Sequence, residues 1–291
     1  MVRSNWVRFG SLAYPGDTLT AMKIAVIIPA AGASRRYGEA AVAAGGAARS
    51  KLDEDLGGRP VLQRTVELFT QINEVSVMIV AGPHDAEAFA EFKQKYVDKL
   101  GLLGVRLCPG GAVHRYETVA AALKLVPEDC THVAVHDAAR PCASAELIAR
   151  VFDAATKFPA VVPGIDVPDT LKRVGSENVA PAEVDPLAAI LGTDATPKAG
   201  ARAVEATVDR SRMVAVQTPQ VFEKGLLQRA YAQKDLASTD DAQLVERLGE
   251  RVVVVEGDAR NIKVTRPMDL VLARAILGVR PPAERASHMK F

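Results

Sequence analysis

Cysteine is scarce. The 291 residues include only Cys108, Cys130 and Cys142, an odd number at irregular spacing with no CxxC pair. This excludes a disulfide framework or cysteine-rich metal module and reads as buried, reduced thiols in a cytoplasmic protein. Long apolar runs are also missing. None approaches the ~20 residues that span a bilayer as a helix. Residues 1–21 lack the continuous apolar segment of a secretory signal and read as a poorly ordered extension before Met22-Lys23. Excess charge of either sign is absent too. A net charge of +1 leaves no bulk electrostatic case for nucleic acid or an anionic membrane surface. Any anion must be handled locally, by a few aimed cations. Neither the GxxxxGK[ST] loop nor GxGxxG occurs, which argues against a P-loop enzyme and a dinucleotide-dependent dehydrogenase. No Ser-His-Asp or Cys-His arrangement suggests itself.

The composition is ordinary for a globular chain, 48% hydrophobic and 24% charged. Strand-like and helix-like segments alternate. Ile24 to Pro29 is a β-branched apolar run suited to a strand buried on both faces. Pro60 to Gln71 shows helical spacing, Val75 to Ala81 reads as a strand, and Asp85 to Leu100 as a helix. Val105 to Cys108 is a strand, Tyr116 to Leu125 a helix and His132 to His136 a strand. Ser144 caps a helix running to about Lys157. The rhythm weakens between about Ala160 and Val216, where short β-like pieces flank an Ala-, Pro- and Gly-rich stretch. This reads as an arm, at about 166–215, projecting from the main sheet. The rhythm then resumes with a helix over Glu223 to Gln233. Ser238 to Asp241 resembles a capping box opening a helix to Leu248, and strands follow at Val252 to Val255 and Ile262 to Val264. A last helix starts at Thr265 and Pro267. The expected fold is α/β: a doubly wound, mostly parallel, Rossmann-like sheet with a β-arm. The main domain covers 22–280, and 281–291 form a tail.

Ligands of such sheets bind beyond the carboxyl ends of the strands. The first strand ends in Pro29-Ala-Ala-Gly-Ala-Ser-Arg-Arg-Tyr-Gly38, where Ala30, Ala31 and Gly32 let backbone N–H groups approach a phosphate or base edge. Residues 30–51 show no convincing secondary structure. The loop ends at Lys51, which either reaches a triphosphate or lies solvated at the surface. Gly110 and Gly111 open a second nest, and Thr118 can donate to an anion near a helix start. The fourth strand delivers Asp137, with Arg140 one turn on. His132 and His136 read as ordinary strand residues, because spacing of four on a strand does not converge two imidazoles. Lys263 points to one face of its short strand and demands a partner.

PAAGASRR, GGRPVL, HDAARPC, TVDR, TPQVF and NIKVTRPMDL, in that order, resemble the 2-C-methyl-D-erythritol 4-phosphate cytidylyltransferases of non-mevalonate isoprenoid synthesis. The match runs from about Lys23 to Leu277. It implies a transferase, more narrowly a nucleotidyltransferase, that uses CTP and Mg²⁺, releases pyrophosphate and dimerises through the arm. It places nucleotide binding on Ala30, Ala31, Gly32, Gly110, Gly111 and Thr118. Transition-state cations fall on Arg36 and Lys51. The polyol phosphate falls to Thr170, Arg210 and Lys263, with Asp137 and Arg140 nearby, and Asp137 is the candidate metal ligand. Thr170 and Arg210 would serve the partner's site. The chain departs from the family pattern at several points. Ser34 stands for a second glycine, Ser50 for a proline, and Ala112 at a usually acidic position. There is one extra residue before Arg115. The loop between Arg36 and Lys51 and the arm insertion at about 181–201 are longer than usual. The competing readings are a ribitol-5-phosphate cytidylyltransferase and a non-catalytic nucleotide-binding protein on the same fold.

Overall fold

The computed structural model describes residues 22–32, 34–43, 49–179 and 201–281. The expected extension at 1–21, nearly all of the 181–201 insertion and all but the first residue of the tail lie outside them. The chain divides into two compact units, one formed by 166–215 and the other by the segments on either side.

The main unit is built on strands ordered β10-β5-β9-β4-β1-β2-β3. These are β1 (Ile24–Pro29), β2 (Val75–Gly82), β3 (Val105–Pro109), β4 (His132–Val135), β5 (Ala160–Asp166), β9 (Gln220–Glu223) and β10 (Val253–Glu256). β1 pairs parallel with both β2 and β4 and is almost wholly buried, as its unbroken β-branched run requires. Its side chains alternate between two cores. Ile24, Val26 and Ile28 face one, and Ala25 and Ile27 the other. The first core is closed by α2 (Val61–Glu67), α3 (Ala86–Gly101), α5 (Ala145–Ala155) and α8 (Pro267–Leu277). The second is closed by α4 (Arg115–Leu123), α6 (Lys224–Tyr231) and α7 (Ala242–Arg247). Ser144 caps α5 as expected, its hydroxyl accepting from the Leu147 amide at 3.2 Å.

Three local expectations are corrected, and one strand is found where none was expected. Residues 30–51 do contain a helix, α1 (Arg35–Ala43). Its alanines favour helix, but Gly38 and a single buried apolar anchor, Tyr37 at 3% exposure, leave no amphipathic stripe to read. The strand β9 has no counterpart in the sequence pattern. It is four residues long and runs antiparallel between β4 and β5. Ile262 to Val264 form no strand; the Val264 amide donates instead to the Ala139 carbonyl at 2.8 Å. The capping box at Ser238 to Asp241 is not made either. Asp240 Oδ1 accepts from the Gln243 amide at 3.0 Å, while the Asp241 side chain makes no cap bond.

The second unit holds a two-stranded antiparallel sheet of β6 (Leu171–Asn178) and β7 (Arg202–Val208), with Leu171 opposite Val208. Most of its side chains are exposed. The short β8 (Val214–Val216) follows it in the chain.

Candidate active site

A cleft of about 670 Å³ opens at the carboxyl ends of β1 and β4, beside the turn after β3. That volume suits a nucleotide-sized ligand. Its floor is backbone. The Ala30 amide donates to the Ala81 carbonyl at 2.7 Å, tying the loop after β1 to β2. Gly32 has nothing within 4 Å of where a Cβ would stand, so its position opens onto free space. Gly111 is the opposite case: a Cβ there would lie 2.1 Å from the Glu117 Cβ and 2.8 Å from the Thr118 amide nitrogen. Only glycine admits this close approach of the turn to α4.

Thr118 shapes that turn. Its buried hydroxyl accepts from the Gly111 amide at 3.1 Å and points its own hydrogen toward the His114 carbonyl at 3.4 Å. Both of these hydrogen bonds lie within the loop, and Thr118 also lines the cleft.

Asp137 is the sole carboxylate lining the cleft among the described residues. Its backbone amide donates to the Thr218 hydroxyl at 3.0 Å. That hydroxyl contacts His136 Nδ1 at 3.1 Å, and His136 Nε2 contacts the Arg140 carbonyl at 3.0 Å. The carbonyl can only accept, so the imidazole carries its proton on Nε2 and accepts from Thr218 on Nδ1. Burial pulls its pKa down to about 4, which keeps it neutral. His136 is a buried strut, in keeping with its reading as an ordinary strand residue.

Three cations hold the Asp137 carboxylate. Lys263 Nζ lies 2.9 Å from Oδ2, Arg115 Nε 3.2 Å from Oδ1, and Arg140 Nε 3.4 Å from Oδ2. Burial alone would raise its pKa. Arg115, then Lys263 and Arg140, overrule that and hold the carboxyl far below the usual range. Arg140 stands behind Asp137 rather than in the lining, with Nη1 donating to the Asn261 carbonyl at 2.7 Å. The sequence singles out Arg115 only as a marker of loop length. Its guanidinium also reaches Asp241 Oδ2 at 2.7 Å. The signal is two short polar patterns 126 residues apart, which no local rule connects.

Arg36, from α1, and Lys51 complete the lining. The segment after Lys51 is pinned from three sides. Asp53 takes Lys95 Nζ and the Tyr96 hydroxyl, both at 2.5 Å. Arg64 Nε donates to the Leu56 carbonyl at 2.9 Å, and Arg274 Nη2 to the Asp55 carbonyl at 2.8 Å. Burial, followed by the positive charge of Lys263 and Arg36, lowers the Lys51 pKa to about 8. Crowding of this kind marks a site built for an anion.

The cleft thus gathers Ala30, Ala31, Gly32, Arg36, Lys51, Gly111, Thr118, Asp137 and Lys263. Gly110 adjoins it, its amide bonded to the Gly82 carbonyl at 2.9 Å. Thr170 and Arg210 belong to the second unit, where Arg210 Nη1 donates to the Val167 carbonyl at 3.2 Å.

The family model described as 2-C-methyl-D-erythritol 4-phosphate cytidylyltransferase matches residues 24–188 and 180–279. A protein of that description from Frankia casuarinae is 39% identical over 268 residues, covering 91% of this chain and 85% of the relative. One from Streptomyces coelicolor is 37% identical, covering 89% and 86%. The crystal structure of 2-C-methyl-D-erythritol 4-phosphate cytidylyltransferase from Thermus thermophilus superposes with a TM-score of 0.63 at 34% identity, covering 89% of this chain and all of that one.

Proposed function

The chain belongs to the 2-C-methyl-D-erythritol 4-phosphate cytidylyltransferases, which transfer the cytidylyl group of CTP to that polyol phosphate, and we propose that the Asp137 cleft is where it does so. The supporting observation is the lining itself. Arg36, Lys51, Arg115 and Lys263 surround one paired carboxylate, with no nucleophile–base couple among them.

The chemistry needs that arrangement. A phosphate oxygen of the polyol phosphate attacks the α-phosphorus of CTP. The bond from that phosphorus to the bridging oxygen breaks, and its electron pair leaves with pyrophosphate. The nucleophile is already an anion, so no strong base is required. The barrier lies in bringing two anions together and stabilising the crowded charge. The small residues at Ala30 to Gly32 and the tight turn at Gly110 to Gly111, which Thr118 pins, leave room for the nucleotide to lie close to the backbone. Arg36 and Lys51 neutralise the triphosphate. Lys263, oriented by Asp137, meets the incoming phosphate.

Thr170 and Arg210 anchor that phosphate from the partner subunit of a homodimer. The partner reading rests on the family pattern, in which the arm completes the other site. A cytoplasmic location agrees with three free, buried thiols, and no helix of the described residues is long and apolar enough to cross a membrane.

Mg²⁺ is part of the proposal. Among the described residues no three His, Cys, Asp or Glu side chains converge, so these residues build no cage of their own. The lining fits an ion carried in on phosphates, and Asp137, already held by Lys263, Arg115 and Arg140, is the one carboxylate there among the described residues that such an ion would meet. When bound, such an ion neutralises phosphate charge.

A substrate panel tests the reading. Pyrophosphate release from CTP is expected with 2-C-methyl-D-erythritol 4-phosphate and not with ribitol 5-phosphate. The reverse preference would sink the substrate assignment, and inertness toward both would favour a binding protein. Arg36→Ala and Lys263→Ala are expected to lose orders of magnitude in turnover while folding normally.

A further inference from the structure

We infer that Asp241 is a positioning residue for the reaction, acting through Arg115 on Asp137 and so on the orientation of Lys263. This rests on the reading that Asp137 and Lys263 face the reacting phosphates.

Asp241 does not line the cleft. Its side chain is fully buried, with Oδ2 taking Arg115 Nη1 at 2.7 Å and Oδ1 taking the Tyr231 hydroxyl at 2.5 Å. It occupies the N-cap position of α7 yet leaves that role unfilled, while its neighbour Asp240 bonds the Gln243 amide. A carboxylate that could cap its own helix is instead turned inward to a residue 126 positions away. A buried ion pair is a poor source of bare stability, because desolvation offsets most of the attraction. Its best-attested use is to fix geometry.

The geometry it fixes runs in one line. Tyr231 donates to Asp241, Asp241 holds one end of the Arg115 guanidinium, and Nε of Arg115 meets Asp137 Oδ1 at 3.2 Å. Asp137 Oδ2 is then left to Lys263 at 2.9 Å and to the more distant Arg140 at 3.4 Å. With Asp241 neutralised, no charge on that side draws Arg115 away from Asp137. Its whole charge falls on Asp137, where it competes with Lys263 for the same carboxylate. The two carboxylates thus divide one guanidinium between them, and that division leaves the Lys263 ammonium a fixed place at the cleft.

A double-mutant cycle separates this role from a merely structural one. Single-turnover rates are compared for the wild type, Asp241→Asn, Lys263→Ala and the double variant, each checked for folding by circular dichroism. Asp241→Asn is expected to slow the wild type by about tenfold and the Lys263→Ala enzyme by less than about twofold, because coupling vanishes once the oriented group is gone. Equal slowing in both backgrounds, or none in the wild type, overturns the inference. Near-normal activity of Lys263→Ala alone would instead overturn the reading of the site. Should Asp241→Asn fail to fold, Tyr231→Phe removes only a hydroxyl from the same line. It is read in the same cycle, with a smaller loss confined to the background that retains Lys263, and an equal loss in both backgrounds counts against the inference.

Discussion

Ser34 and Ser50 face each other with their hydroxyl oxygens 3.4 Å apart, so the two departures from the family pattern that flank Arg36 meet in space. Ser34 has φ +52°, the left-handed region. The glycine customary in the family would sit there without strain, whereas serine holds a conformation that L-residues rarely adopt. Ser34→Gly is expected to leave thermal stability nearly unchanged, since relief of strain offsets the added freedom of the unfolded chain. Ser34→Val is expected to destabilise by about 1–3 kcal/mol, because a β-branched residue tolerates positive φ least. Calorimetry that ranks valine level with glycine would refute the assignment.

The Lys51 pKa of about 8, against an ordinary 10.5, gives two signed expectations. In the free enzyme, kcat/KM for CTP falls as pH rises through about 8, and Lys51→Arg, if active, moves that limb upward because guanidinium keeps its proton. The folded state also binds fewer protons at Lys51 than the unfolded state between 8 and 10.5. The penalty of the crowded ammonium is therefore complete below about pH 8 and is relieved as pH climbs through that window. Adding CTP adds opposite charge and shifts the limb to higher pH. A limb unmoved by Lys51→Arg would remove Lys51 from the site.

The two loop glycines differ in kind, and alanine tells them apart. Gly32→Ala projects a methyl into open space and is expected to fold as the wild type while weakening CTP binding. Gly111→Ala drives a methyl into the backbone of Glu117 and Thr118 and is expected to cost about 1–3 kcal/mol of stability, as overpacking does. Denaturation midpoints and CTP titrations together decide the matter.

Arg210→Ala is expected to raise KM for the polyol phosphate while leaving CTP binding mostly intact. Mixing it with Lys263→Ala subunits is expected to restore part of the activity, because one hybrid site would then receive an intact Arg210 and an intact Lys263. Mixtures no more active than either parent would argue against shared sites.

Much of the site is legible in the sequence because its residues sit at strand ends. Ala30 to Gly32 and Asp137 each follow a buried apolar run, and the alternation of strands and helices tells where those runs end. Helix α1 is hidden because Tyr37 alone anchors it. Strand β9 is too short to announce itself. The bond between Arg115 and Asp241 joins segments 126 residues apart, and sequence order carries no trace of that meeting. At Asp241 the sequence even misleads, since Ser-Thr-Asp-Asp before an apolar run satisfies a local capping rule that the tertiary contact overrides.

Among the described residues, β9 is the strand that joins β5 and β10 to the ladder of β4, β1, β2 and β3, and it is assembled from residues 220–223. On the ribosome, everything up to residue 216 can emerge and still leave β5 without a hydrogen-bonded link to that ladder. Thr218, which fastens the amide of Asp137, arrives in the same short stretch. The carboxylate at the heart of the cleft is thus translated early and has its amide fastened only when the seam between β4 and β5 closes.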